Sequence, residues 1–266
     1  MRLQQKQYTF CMKIRFLGTG TSTGNPEIGC SCEVCTSTDK RDKRFRTSAL
    51  IEIEGKRILI DCGPDFRMQM LKTFETDYFL HLDGILLTHE HYDHVGGLDD
   101  LRAFCHKGAV KIYAEDFVVK AIRTRIPYVF QKHKYPGIPN LELQVIENKP
   151  FFISGVEIIP IRLMHAELPI FGFRIGNMAY LTDLKTIPEE EYEKLQNLEV
   201  LVINALRPEE HISHQNIEQA LSQIRKINPQ RAYLIHMSHR FGLHAAMEKF
   251  LPENVFIASD EEEVQF

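Results

Sequence analysis

The segment Thr88-His89-Glu90-His91-Tyr92-Asp93-His94 constrains this chain more than any other. The six residues after Thr88 include four side chains able to ligate a metal: His89, His91, Asp93 and His94. Before them runs Asp83-Gly84-Ile85-Leu86-Leu87, which reads as a buried strand. After them comes Gly96-Gly97-Leu98-Asp99-Asp100-Leu101-Arg102, which reads as a turn into a helix. A loop at the end of a strand is where a rigid sheet can aim side chains into a cleft. Alternate residues of an extended segment point the same way, so His89 and His91 can share one metal. Asp93 and His94 lie where the chain turns and can aim at a second metal beside it. Imidazole and carboxylate together suit zinc, manganese or iron.

The rest of the chain repeats this placement. Met12 precedes the first strand pattern, Lys13-Ile14-Arg15-Phe16-Leu17-Gly18, so residues 1–11 are expected to be an extension and 12–266 one domain. The glycine-rich stretch 18–26 lacks the Lys-Ser/Thr ending of a phosphate-binding loop and reads as a tight turn passing close to the core. Ser48–Ile53 and Arg57–Asp61 read as a hairpin. Asp61, at its end, either forms the turn or orients a ligand histidine. Val110–Tyr113 reads as a strand and Glu115–Ile126 as a helix. Residues 126–139 read either as a flap over a cleft or as a long loop. Leu141–Glu147, Val156–Arg162, Phe171–Ile175 and Met178–Asp183 look like a second set of strands, with His165 and Asp183 at or beyond strand ends. Thr186-Ile187-Pro188-Glu189 has the pattern of a capping box. His211 and His214 lie between a strand at 200–205 and a helix containing Ile217, Ala220, Leu221, Ile224 and Ile227. His236 follows a strand at 231–235. A last helix is expected near 243–251 and a closing strand at 255–257. The charged segment 36–46 and the acidic tail 260–263 are expected to be solvated. His106, His133 and His244 read as surface or structural. Strands in two groups, interleaved with helices and carrying polar groups at their C-terminal ends, predict an α/β four-layer αββα sandwich: two mixed sheets face to face with helices outside.

Six cysteines occur, three of them in Cys30-x-Cys32-x2-Cys35. That spacing is too compact for separate disulfides and suits three corners of a tetrahedral zinc site, with the fourth ligand elsewhere. No apolar run approaches the roughly 18–20 residues of a spanning helix, and no leader-like apolar segment follows the N-terminus, so no membrane and a cytoplasmic, reducing location are expected. The net charge of −4 gives no general footprint for long nucleic acid.

The histidine motif, with His165, Asp183 and His236, resembles that of the metallo-β-lactamase-fold hydrolases. Leu17-Gly18-Thr19-Gly20-Thr21-Ser22, the cysteine cluster, Gly97-Leu98-Asp99-Asp100-Leu101-Arg102 and His236-x2-His239 narrow the resemblance to the PhnP-like cyclic phosphodiesterases, over nearly the whole chain from Met12. The resemblance implies a dinuclear manganese or zinc centre: His89, His91 and His165 on one metal, Asp93, His94 and His236 on the other, and Asp183 bridging. It implies a structural zinc on Cys30, Cys32, Cys35 and His239. It also implies that a hydroxide shared by the metals attacks a small cyclic phosphodiester, with Asp93 and His214 counted as catalytic. By the same resemblance His214 would be the general acid, with His211 its rival. A tRNA 3′-processing nuclease shares the ligands but needs a long basic arm; only Arg123, Arg125, Lys132 and Lys134 form a basic patch here. A thioesterase or lactonase shares the core but not the cysteines. A non-catalytic carrier resembling the pyrroloquinoline quinone biosynthesis proteins would depart from the ligand pattern. The substrate's identity, the choice of metal and a homodimeric state stay open.

Overall fold

The computed structural model describes residues 12–74, 81–132 and 135–266, so the expected extension at 1–11 and His133 lie outside it. Six strands come first: β1 (Met12–Gly18), β2 (Ser48–Ile53), β3 (Lys56–Ile60), β4 (Gly84–Leu86), β5 (Val110–Ala114) and β6 (Leu141–Val145). Then come β7 (Phe151–Ile153), β8 (Val156–His165), β9 (Leu168–Ile175), β10 (Met178–Leu181), β11 (Val200–Asn204), β12 (Arg231–Ile235), β13 (Val255–Ile257) and β14 (Glu263–Gln265). They form two seven-stranded sheets, ordered β14-β1-β2-β3-β4-β5-β6 and β13-β12-β11-β10-β9-β8-β7. The helices are α1 (Glu33–Thr36), α2 (Phe66–Phe74), α3 (Tyr92–Val95), α4 (Asp116–Arg125), α5 (Ile217–Ile227) and α6 (His244–Met247).

The alternation in the sequence decides the layering. Ile14 and Phe16 of β1, Ile58 and Ile60 of β3, and Phe171, Phe173 and Tyr180 of the second sheet share one fully buried core between the sheets. Residues of the opposite parity face outward. Leu59, Ile85 and Ile112 pack beneath Phe66 of α2 and Val118 and Ile122 of α4. Leu201, Ile203 and Leu234 pack beneath Ala220, Ile224 and Ile227 of α5. The four layers are therefore helix, sheet, sheet and helix, as the pattern predicts. Truncating an aromatic of the central core, such as Phe16, which meets Tyr233 at 5.6 Å, costs about 3–5 kcal/mol in comparable cores.

Several expectations need correction. Leu141–Val145 belongs to the first sheet, pairing in parallel with β5, rather than to the second set of strands. Thr186 bridges to Met164, and the following turn of 3-10 helix, Glu189–Leu195, has Pro188 at its cap without a side-chain hydrogen bond, so no capping box forms. Part of the 126–139 segment is packed: Val129 is fully buried and the Tyr128 hydroxyl donates to Asp99 Oδ1 at 2.5 Å.

The expected solvation of segment 36–46 and of the tail fails at Asp42 and Arg44, which are buried, and in part at half-buried Asp260, while Glu261 and Glu263 are exposed as expected. Arg44 is buried; its Nη1 donates to Thr19 Oγ1 at 2.7 Å and to Ala258 O at 2.6 Å, and its Nη2 lies 3.1 Å from His244 Nδ1. Asp260 accepts from the Phe45 N–H at 2.6 Å and Thr19 Oγ1 at 2.7 Å, and burial pushes its carboxyl up to about 6. Beyond it, β14 adds to the sheet edge against β1.

His244 is structural, as expected, and its environment sets an acid limit. Burial, then the Arg44 guanidinium, pushes its imidazole down to about 4. Nδ1 accepts from Arg44, so protonation removes that bond. A histidine depressed in the fold gives its full contribution above the ordinary value near 6.5 and loses it as pH falls toward 4. His244→Gln keeps an acceptor that does not titrate. In urea unfolding at pH 7 and pH 4.5, the variant is expected to lose about 2–3 kcal/mol less than the parent chain between the two. Equal losses would contradict this account.

Candidate metal centre

The metal loop is clamped by backbone before any side chain acts. The Cys62 N–H donates to His94 O at 2.8 Å and the Gly97 N–H to Cys62 O at 2.9 Å. Gly63 and Gly97 make this approach feasible: a Cβ on Gly63 would lie 2.0 Å from Asp93 O, and one on Gly97 2.1 Å from Gly63 O. The turn after β3 and the loop after β4 thus lie in direct backbone contact.

Asp61 fills both roles left open by its position: its φ of +60° places it in the turn, and its carboxylate orients candidate ligand histidines. It is fully buried. Its carboxylate accepts from the Thr88 N–H at 2.9 Å, from Thr88 Oγ1 at 2.9 Å, and from His94 Nδ1 at 2.7 Å. Thr88 Oγ1 lies 2.9 Å from His89 Nδ1. With the Thr88 hydroxyl proton given to Asp61, its oxygen can accept from His89 Nδ1–H. One carboxylate therefore fixes both His94 and, through Thr88, His89, leaving each Nε2 lone pair aimed inward. His165 is set the same way, its Nδ1–H donating to Ser213 O at 3.0 Å.

Three groups result, within each of which the potential ligand atoms all lie within 4.8 Å of one another: His89, His91 and His165; Asp93, His94, Asp183 and His236; and His165, Asp183 and His214. Asp183 links the last two. Its Oδ1 is 3.0 Å from His236 Nε2 and 3.7 Å from His214 Nδ1; its Oδ2 is 3.2 Å from His94 Nε2. Asp93 Oδ2 is 3.1 Å from His94 Nε2. The buried Nε2 atoms of His89, His94 and His236 have no hydrogen-bond partner despite these short separations. Lone pairs and carboxylates converging without hydrogen bonds fit the edges of a coordination shell, about 3.0–3.4 Å for bonds of about 2.0–2.1 Å. The charges agree. Burial, aided by His94, keeps His89 well below the usual histidine range, hence neutral and able to ligate. Burial works against charging His236, yet Asp183 and Asp93 pull it up to about 9. The bare cluster thus draws protons to balance its carboxylates, a balance that divalent cations would supply instead.

His214 stands inside this arrangement, its ring centroid 4.6 Å from that of His165 and 4.9 Å from that of His236. His211 lies behind it at 5.1 Å, its Nδ1 accepting from the Ser213 N–H at 3.3 Å. The second metal group is also assembled: His239 Nδ1 lies 3.1, 3.4 and 3.6 Å from the sulfurs of Cys30, Cys32 and Cys35. A tetrahedral S–N edge around zinc is about 3.6 Å. The Cys35 N–H holds the Cys32 thiol down at about 6, while burial pushes Cys35 up to about 11. His239 Nε2 reaches Glu27 Oε2 at 3.1 Å.

Sequence reasoning did not find Glu27, Asn204 or Lys185. Asn204, fully buried at the end of β11, clasps the residue after Asp183: Leu184 N–H donates to its Oδ1 at 2.9 Å and its Nδ2 donates to Leu184 O at 3.2 Å. A polar residue ending an apolar strand was the available signal. Beside the metal loop, Tyr92, Val95, Leu98, Ile122 and Ile126 line a cavity of about 400 Å³, with Arg125 also in its wall.

The chain belongs to the β-lactamase superfamily, whose domain model matches residues 56–237. Within it the chain is PhnP-like: the crystal structure of a diphosphatase from the PhnP family is 33% identical, with 96% of this chain and 97% of that one covered, at a TM-score of 0.89. A Porphyromonas gingivalis protein named octanoyltransferase is 50% identical over 252 residues, 94% of this chain but only 50% of that protein. A Bradyrhizobium diazoefficiens ribonuclease Z is 39% identical over 88 residues, covering 33% of this chain and 23% of that enzyme. The chain thus spans about half or less of the curated relatives just named. No helix among the described residues is long and apolar enough to cross a membrane.

Asp61→Ala would leave both histidines unoriented. Competition against a chelator is expected to show zinc or manganese affinity at the histidine centre lowered about 10- to 100-fold, with the cysteine group still binding one zinc. Unchanged affinity at the histidine centre would refute the orienting role.

Proposed function

We propose that the protein hydrolyses small phosphodiesters, ribose and nucleotide 2′,3′-cyclic phosphates among them, at two divalent cations, manganese or zinc, with a third, structural zinc on Cys30, Cys32, Cys35 and His239. The observation that carries this reading is the place of Asp183, which groups both with Asp93, His94 and His236 and with His165 and His214, its Oδ1 3.7 Å from His214 Nδ1. His89, His91 and His165 would hold one cation, Asp93, His94 and His236 the other, and Asp183 both. When bound, the pair would make a nucleophile available at neutral pH and neutralise charge on the phosphoryl oxygens.

The leaving group falls to the chain. In the overall reaction the oxygen of water bonds to phosphorus and the bond from phosphorus to one ribose oxygen breaks. That oxygen takes the proton of the His214 imidazolium, and the proton released by water replaces it. A ribose alkoxide leaves poorly, and general-acid help of this kind is worth about 100- to 10,000-fold. In the bare site, burial, with His236, His165 and His211 and against Asp183, holds His214 down to about 3. A phosphodiester anion seated beside it pulls the other way. His214, whose ring meets those of His165 and His236, fits this role better than His211, whose ring meets that of His214. The largely apolar cavity beside Tyr92 offers a place for the flat face of a base.

A second reading is favoured by the PhnP-family diphosphatase relative: cleavage of a diphosphate at the same centre. Its leaving phosphate needs less protonation, which separates the two readings. Turnover should be measured, with manganese or zinc restored, on 2′,3′-cyclic nucleotides, bis(p-nitrophenyl) phosphate, a nucleoside diphosphate, a thioester and a lactone. The phosphodiesters are expected to be preferred. His214→Ala should lower kcat on the cyclic nucleotide by about 100-fold or more with metal content intact, and Asp183→Ala should lose metal. Turnover of the thioester or lactone alone would overturn the substrate class.

A further inference from the structure

His214 has no hydrogen bond to its buried Nδ1, so its ring takes its aim from its backbone and its ring neighbours. One side chain grips that backbone. Lys185 Nζ lies 2.7 Å from His211 O, 3.3 Å from His214 O and 3.1 Å from Gln219 Oε1. An ammonium has three N–H donors, and here each has its own acceptor. Gln219 is no loose partner. Its side chain accepts from the Asn216 N–H at 3.2 Å while its own N–H donates to Asn216 Oδ1 at 2.8 Å, closing the cap of α5. The lysine thus ties both ends of the 211–214 loop to a rigid helix start.

Its own position is equally fixed. Lys185 lies two residues after Asp183, its N–H donates to Met164 O at 2.7 Å beside His165, and the Gln215 N–H donates to Leu184 O at 3.1 Å. Those backbone bonds survive any substitution of the side chain. Removing the ammonium leaves the turn carrying Asp183 in place and frees the 211–214 loop, which carries His214 and also Ser213 O, the acceptor for His165 Nδ1–H at 3.0 Å, so a loss of metal would mark an effect through His165 and an unchanged metal content one through His214.

We infer that Lys185 is a positioning residue for leaving-group protonation: it holds His214 where the departing oxygen emerges, without touching substrate or cation. The inference rests on His214 being the general acid. Its signature is a dependence on the leaving group. A ribose alkoxide needs a proton as it departs, whereas p-nitrophenolate departs without one. A staple of merely structural importance would affect both substrates alike.

The test uses the full-length, metal-loaded protein with Lys185→Met, Lys185→Gln, His214→Ala and the double variant Lys185→Met/His214→Ala. Metal content and thermal midpoint are recorded for each. Lys185→Met is expected to lower kcat on a 2′,3′-cyclic nucleotide about 10- to 100-fold, with KM and the rate on bis(p-nitrophenyl) phosphate held within about twofold. Lys185→Gln, keeping amide donors, should fall between it and the parent. The double variant should be no slower than His214→Ala, because the lysine acts only through that histidine. If Lys185→Met slows both substrates equally, slows neither, or adds its full loss to that of His214→Ala, Lys185 has no such role. If His214→Ala itself shows no preference between leaving groups, the general-acid reading falls first and the positioning role with it.

Discussion

A carboxylate sealed inside a protein must have its hydrogen bonds met, and that demand on Asp61 organises the centre. Burial alone pushes its carboxyl up. It becomes tolerable as an anion only when Thr88 and His94 are both in place, since they supply its three donors. Those residues are the first and last of the segment Thr88–His94. Satisfying one buried charge at the end of β3 therefore sets the loop after β4 and turns two imidazoles inward. The glycine contact at 63 and 97 is the steric counterpart, since the donors cannot reach Asp61 unless the two backbones touch.

Much of this was legible because the necessary residues adjoin their strands in the chain. His89, His91, Asp183 and His236 could be placed at strand ends from periodicity alone, and strand ends of a layered α/β fold gather on one edge. What escaped were interactions joining distant segments. Arg44 and Asp260 carry charges that locally signal solvent. Arg44 is buried and Asp260 half-buried, and both bond Thr19, 25 and 241 residues away in sequence. The 3-10 turn at 189–195 kept the composition of a capped helix start but lost the cap, since Thr186 was taken by Met164. Lys185 reads in sequence as an ordinary surface cation. Only the fold brings three acceptors to it.

A repeat invisible in the sequence is plain in the topology. From β14 to β3 and from β7 to β10, neighbouring strands pair antiparallel; from β3 to β6 and from β10 to β13 they pair in parallel. The strands β3 and β10 are thus equivalent, and each is followed within two residues by a buried aspartate, Asp61 and Asp183. One aspartate aims a ligand and the other stands among the ligands. Hydrophobic patterns that differ residue by residue can satisfy the same pairing order, so the correspondence leaves little trace in composition.

Asp61, Asp183 and His236 share one more property: their φ angles are +60°, +58° and +60°. A left-handed backbone costs a side-chain-bearing residue roughly 1–2 kcal/mol, and glycine would occupy the same turns freely. At each of these three turns the chain carries instead the side chain that the centre uses. Three of the nine left-handed non-glycine positions among the described residues thus stand at the centre, and the surrounding sheets must be rigid enough to hold them. Thermal robustness and a working centre pull in opposite directions at these three strand ends. Any lineage of this fold that abandoned its metals could relax there first, so glycine at these turns would be a mark of lost chemistry while the sandwich itself persisted.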